Sequence, residues 1–151
     1  LPTALWVMEA ELTQDQWTGL GFVNPSAAIG PARPVETVTW WEALEAANEA
    51  SRRDGRDVCY TLTGCDGTAI GAGRVCTAVS ITAPSGDPAD CTGWRLPTEA
   101  EWEQAARAGT DQPFSGGSDP DPVAWYADTK PGWGNPHGLH RAYAAQRVGS
   151  V

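Results

Sequence analysis

Four cysteines, Cys59, Cys65, Cys76 and Cys91, fall between positions 59 and 91 in a Gly- and Thr-rich stretch that holds no His. Such a cluster is either a covalent staple or a metal knot, and each restricts the fold around it. Zinc sites favour paired ligands two to four residues apart. Here the gaps are five, ten and fourteen residues, with no C-x-x-C, so two disulfides are the preferred reading. Three connectivities exist. The nested pairing Cys59–Cys91 with Cys65–Cys76 is preferred, because the inner pair clips a hairpin and the outer closes its base. On the chain-entropy account the outer loop contributes about 3 to 4 kcal/mol. Disulfides persist in oxidising compartments, which predicts an extracellular or periplasmic location.

At 151 residues the chain suits one domain. Ten basic against nineteen acidic side chains give a net charge of -9, which repels a phosphate backbone and argues against nucleic acid as a partner. No apolar run approaches the roughly 18 to 20 residues of a transmembrane helix. The chain opens Leu1-Pro2, without an initiator Met or a basic-then-apolar leader, and reads as trimmed at its N-terminus. Eight Trp, seventeen Gly and twelve Pro describe a folded, loop-rich protein whose aromatic content lies in indoles.

Three helix starts share the capping-box spacing, a Thr followed three residues later by Gln or Glu. Thr13 with Gln16 opens a short helix carrying Trp17 and Leu20, which Gly21 stops. Thr39 with Glu42 opens the longest, with Trp40, Leu44, Ala47 and Ser51 as a narrow apolar stripe and Arg52-Arg53-Asp54-Gly55 as its end. Thr98 with Glu101 opens the third, with Trp102, Ala105 and Ala106 predicted to face inward and Gly109 beyond its end. Between the second and third, Val75, Thr77, Val79 and Ile81 alternate at period two, a strand predicted to pair with 58–62. Residues 5–11 also read as extended. From Thr110 turn residues dominate, with aromatic islands at Trp125-Tyr126 and Trp133.

The run Trp94-Arg95-Leu96-Pro97-Thr98-Glu99-Ala100-Glu101-Trp102-Glu103, continuing through Ala105-Ala106-Arg107-Ala108-Gly109, closely resembles the signature of the formylglycine-generating enzyme (sulfatase-modifying factor) family. Two weaker segments agree in order, Glu9 to Trp17 with an "E-V-T-x-x-Q-(Y/W)" opening and Pro34 to Ala43 with a "P-V-x-x-V-S-W-x-x-A" stretch. Trp125-Tyr126-Ala127-Asp128 and Val148-Gly149 sit where the family has "W-Y-x-N" and "P-V-G". The resemblance implies an α+β, C-type-lectin-like variant, irregular and loop-rich, with few helices on a twisted antiparallel sheet. Residues 1–151 then form a single, partial domain of that family, with a Cys-rich hairpin insertion at about 58–92.

In the family, "P-V-G" is followed by a conserved "G-N-V-x-E-W" region and a closely spaced cysteine pair that binds copper and attacks the substrate. This sequence reaches Val151 before any such segment, and its cysteines precede Arg95-Leu96-Pro97. No catalytic residue is carried over, and copper is expected only if a further C-terminal part is supplied. The resemblance also implies calcium, with Asp128 in the place of a ligating Asn; the alternative is that Asp128 caps a turn. His137 falls where an acidic ligand is expected.

Other candidates have structural readings. Glu99 favours a helix N-terminus, Glu101 belongs to a capping box, and Glu103 pairs with Arg107. Arg95 is predicted to brace a carboxylate or loop carbonyls. His137 and His140 read as loop histidines, since Pro136 and Gly138 oppose a helix there. Trp17, Trp40, Trp94 and Trp102 are assigned to the core, leaving Trp41, Trp125 and Trp133 freer to build a binding surface. The expected function is a non-catalytic extracellular binding or assembly module. Its partner is a second chain or a further copy that completes the sheet. The alternative is the N-terminal part of a copper-dependent oxidase acting on a substrate-peptide Cys.

Overall fold

Three capping boxes define where the helices begin. In a computed structural model, which describes residues 6–8, 10–113 and 118, α1 spans Gln14–Gly19, α2 Trp40–Arg53 and α3 Glu99–Arg107. Thr13, Thr39 and Thr98 each accept from the N3 amide while Gln16, Glu42 and Glu101 reach back to the cap N–H. Between α2 and α3 lies an antiparallel hairpin of β1 (Tyr60–Thr63) and β2 (Ala78–Ile81), in register Tyr60 opposite Ile81 and Thr63 opposite Ala78. A short 3-10 turn, Pro88–Asp90, precedes the return to the Trp94 segment.

The strand pair is shorter than the alternation predicts. Val75 lies outside it and is exposed. Residues 5–11 form no strand among the described residues; the ladder contact nearby is an isolated bridge between Thr13 and Pro34. That bridge is continued by Val35 N–H to the Leu12 carbonyl at 2.9 Å.

The core is built where α2 crosses the hairpin. Leu44, Cys59 and Tyr60 are buried, with Trp41, Ala47, Leu62, Val79, Ile81, Cys91 and Leu96 packed against them. The Cys59–Cys91 bridge (S–S 2.01 Å) runs through this cluster, and Cys65–Cys76 (2.04 Å) closes the far end of the hairpin. Trp41, expected to be free, therefore packs on the core. Trp40, expected inside, is 54% exposed.

The second helix is not a narrow stripe. No residue from 41 to 51 is exposed, and Glu42, Asn48 and Ser51 are fully enclosed. Each of these polar side chains serves backbone groups of another segment, which is how a helix can be buried on most sides without an apolar composition. A second, smaller centre surrounds α1. Trp17 is buried, meets Phe22 edge-on at 5.1 Å, and donates its indole N–H to the Val23 carbonyl at 2.7 Å. Buried Gln14 donates to the carbonyls of Ala28 and Pro34 and accepts from Asn24 and Gly30, tying the irregular 24–34 segment to the helix.

Candidate functional site

The Arg95 to Trp102 segment is fastened from three sides. Ser51 accepts the Trp94 N–H at 2.8 Å, and the Tyr60 hydroxyl accepts the Leu96 N–H at 2.9 Å. Arg95 then forms a fork with Glu101, Nη1 to Oε2 and Nη2 to Oε1, both at 2.7 Å. Both side chains are under a tenth exposed, so this charge pair is bidentate and largely desolvated. The Arg95 guanidinium beside it, together with the Thr98 N–H, outweighs burial and holds the Glu101 carboxyl at about 2. The same contact raises Arg95 above its ordinary value. Arg95 thus braces a carboxylate, and neither group is left free for acid-base work.

This pair also decides which way α3 faces. With Glu101 turned inward, the neighbouring Trp102 is rotated about 100° around the helix axis and is 63% exposed. Ala105 is exposed and Ala106 half-buried. The expectation of an inward Trp102 and Ala105 fails because an ion pair, rather than the indole, fixes the helix orientation. Glu99 lies exposed in the first turn, and Glu103 pairs with Arg107 at 2.8 Å. Trp94 is only partly covered and donates its indole N–H to Asp54 at 2.5 Å. Trp40, Trp94 and Trp102 are therefore surface indoles, the opposite of the core assignment.

The cysteine chemistry is equally definite. All four sulfurs are in disulfides and no free thiol exists, so none is a thiolate to bind copper or attack a carbonyl or thiol partner. The disulfide-bonded cysteines supply no thiolate donor to a copper centre. Among the described residues no group of three or more His, Cys, Asp or Glu converges on a metal position. Asp128, His137, His140, Trp125 and Trp133 lie outside the described residues.

The sequence did not announce the role of Glu42 beyond its capping box. The Glu42 Oε2 accepts from Thr39 N–H at 2.8 Å, while Oε1 accepts from the N–H groups of Gly71, Gly73 and Arg74 at 2.7, 2.9 and 3.0 Å. Burial pushes this carboxyl up, but the four N–H groups together hold it below its ordinary value. A Cβ on Gly71 would stand 1.7 Å from the Val23 carbonyl oxygen, so the loop backbone presses on the α1 centre as well. No sequence signal joins Glu42 to partners some thirty positions away; the local capping pattern accounts for only one of its two oxygens.

Residues 6–147 match the sulfatase-modifying factor enzyme 1-like domain. Over 124 residues the chain is 36% identical to the chaperone protein LppX of Paenibacillus barcinonensis, covering 80% of this chain and 43% of that protein. The fold is similar to Treponema denticola variable protein 1 (TM-score 0.58, 29% identity, 80% of this chain and 49% of that one). It is also similar to a crystal structure of CarF (TM-score 0.55, 25% identity, 83% and 55%). The chain thus spans about half the length of these relatives. With few helices, a small antiparallel sheet and the Arg95–Glu101 fork at the centre of its signature, it has the α+β, C-type-lectin-like fold and belongs to the sulfatase-modifying factor family.

Proposed function

We propose that this chain is an extracellular or periplasmic, non-catalytic binding or assembly module on the sulfatase-modifying factor scaffold. The observation that carries the reading is the state of the cysteines, all four sealed in disulfides. The family chemistry needs a reactive pair. The bridges also favour an oxidising compartment, and no helix among the described residues is long and apolar enough to cross a membrane. Binding is supported by Trp40, Trp94 and Trp102, three large apolar side chains left at the surface of a chain with net charge -9. A similar protein named as a chaperone favours another polypeptide as the bound partner, either a second copy or a different chain.

The test is direct. The purified chain, supplied with copper and a sulfatase-type Cys peptide, forms no aldehyde above the protein-free background by hydrazide capture. Turnover that disappears on chelating copper overturns the reading. Light scattering at high protein concentration gives an assembly larger than one chain, and a monodisperse monomer with buried-indole emission removes the self-assembly arm.

A second reading is favoured by one observation, the coverage of less than half of the LppX relative. In it these residues are the N-terminal part of a copper-dependent oxidase whose cysteine pair lies outside them. Aldehyde formation by a longer form carrying that pair, and none by this chain alone, selects it. Calcium at Asp128 is a separate proposal, tested by calorimetric titration of the chain and its Asp128→Ala variant.

A further inference from the structure

Among the described residues Glu42 is the fully buried carboxylate whose anchoring crosses the molecule, and no binding or catalytic reading uses it. It has no cation among its hydrogen-bond partners; its charge is held by peptide N–H groups. Three of those four donors, Gly71, Gly73 and Arg74, lie inside the loop that Cys65–Cys76 closes. They converge on a single oxygen with Gly71 and Gly73 at positive φ, +88° and +89°. The charged groups on the joined elements are otherwise engaged. Arg74 and Glu45 approach at 3.8 Å, Arg74 Nε donates to the Thr68 carbonyl, and Asp66 accepts from the Thr68 N–H.

A buried carboxylate without donors is strongly unfavourable, so opening this loop carries a cost at Glu42 that is separate from the bridge itself. Conversely, a loop already gathered around Glu42 holds Cys65 and Cys76 near each other. By reciprocal linkage, each lock strengthens the other.

We propose that Glu42 and the Cys65–Cys76 bridge form one redox-gated latch that orders the loop against α2 and Val23. Closure requires the two thiols to lose two protons and two electrons to a disulfide oxidant, which leaves as a dithiol. Opening is the reverse, with a dithiol as the electron donor. In the open state Glu42 loses three donors and its carboxyl takes up a proton at higher pH than in the closed state. The latch makes loop order, and with it the pairing of the Glu42 carboxylate, conditional on an oxidising environment.

The experiment equilibrates the full chain in dithiothreitol redox buffers. Alkylation with peptide mass spectrometry reads the state of Cys65–Cys76, and hydrogen exchange reads the Gly71, Gly73 and Arg74 amides. Reduction of that bridge is expected to lower protection of those amides at least tenfold. Glu42→Gln is expected to move half-reduction at least tenfold toward weaker reducing conditions. Unchanged protection on reduction, or a Glu42→Gln chain that titrates like the parent, overturns the proposal. Should Glu42→Gln fail to fold, carboxyl carbon NMR of a Cys65→Ser/Cys76→Ser chain decides. Glu42 then titrates higher than in the parent, and identical titration overturns the latch.

Discussion

Asn48 stands where a third strand would. Its side-chain amide donates to the Tyr60 carbonyl at 2.8 Å and accepts the Tyr60 N–H at 3.1 Å, so a residue of α2 completes the backbone pairing of β1 at its first position. A buried strand edge is thereby satisfied by a helix side chain.

Replacing Asn48 with Ala leaves both Tyr60 groups without partners in a buried setting, at a cost of about 2 to 4 kcal/mol. Urea unfolding is expected to show a lower midpoint with an unchanged slope. A midpoint equal to the parent would mean that water takes over both contacts.

The Arg95–Glu101 fork sets the acid limb of stability. The Glu101 carboxyl stands at about 2 when folded, against an ordinary 4.5, so its contribution is fully present above the ordinary value and is lost as pH falls through the folded one. Arg95→Met, which strands a buried carboxylate, is expected to cost about 3 to 5 kcal/mol at pH 7. It also flattens the pH dependence between those two values, whereas Arg95→Lys retains charge without the fork and falls between. Unfolding curves across that window check both slope and order.

Two glycines should respond to Ala with opposite signs. At Gly93 a Cβ would lie 2.1 Å from the Asp57 carbonyl oxygen and 2.5 Å from the Ser51 hydroxyl, so Gly93→Ala is expected to destabilise by about 1 to 3 kcal/mol through overpacking. At Gly19, the last residue of α1, nothing lies within 4 Å, and Ala there is expected to stabilise by about 0.5 to 1 kcal/mol. Thermal midpoints of the two variants give the comparison.

Under denaturing conditions without reductant the chain is expected to show no reactive thiol, because both bridges are formed. Converting Cys59 and Cys91 to Ala together is expected to cost about 2 to 5 kcal/mol. Two or more thiols per chain in a colorimetric assay would remove both the staple and the argument for an oxidising compartment.

What was legible in the sequence was local. The three helix starts depend on residues three positions apart, and the hairpin on a period of two, so Thr13, Thr39, Thr98 and the Val79–Ile81 alternation announced them directly. Facing was not legible, because it is decided by long-range polar contacts. Trp102 looks like a core residue until Arg95 claims Glu101, and Trp40 until Glu42 and Leu44 turn the same helix inward. Asn48 and Gln14 have no apolar signal at all, yet they hold segments together through carbonyls and amides that any sequence supplies.

The nesting of the two bridges has a topological consequence. Any single break in the backbone between Cys65 and Cys76 leaves one piece carrying Cys59 and Cys65 and the other carrying Cys76 and Cys91, so two covalent links still cross the cut. Gly67, exposed and with nothing near its missing side chain, is a natural place for such a break. A protease that nicks the molecule there creates two new chain ends without separating the fragments, and the damage shows on a gel only after reduction.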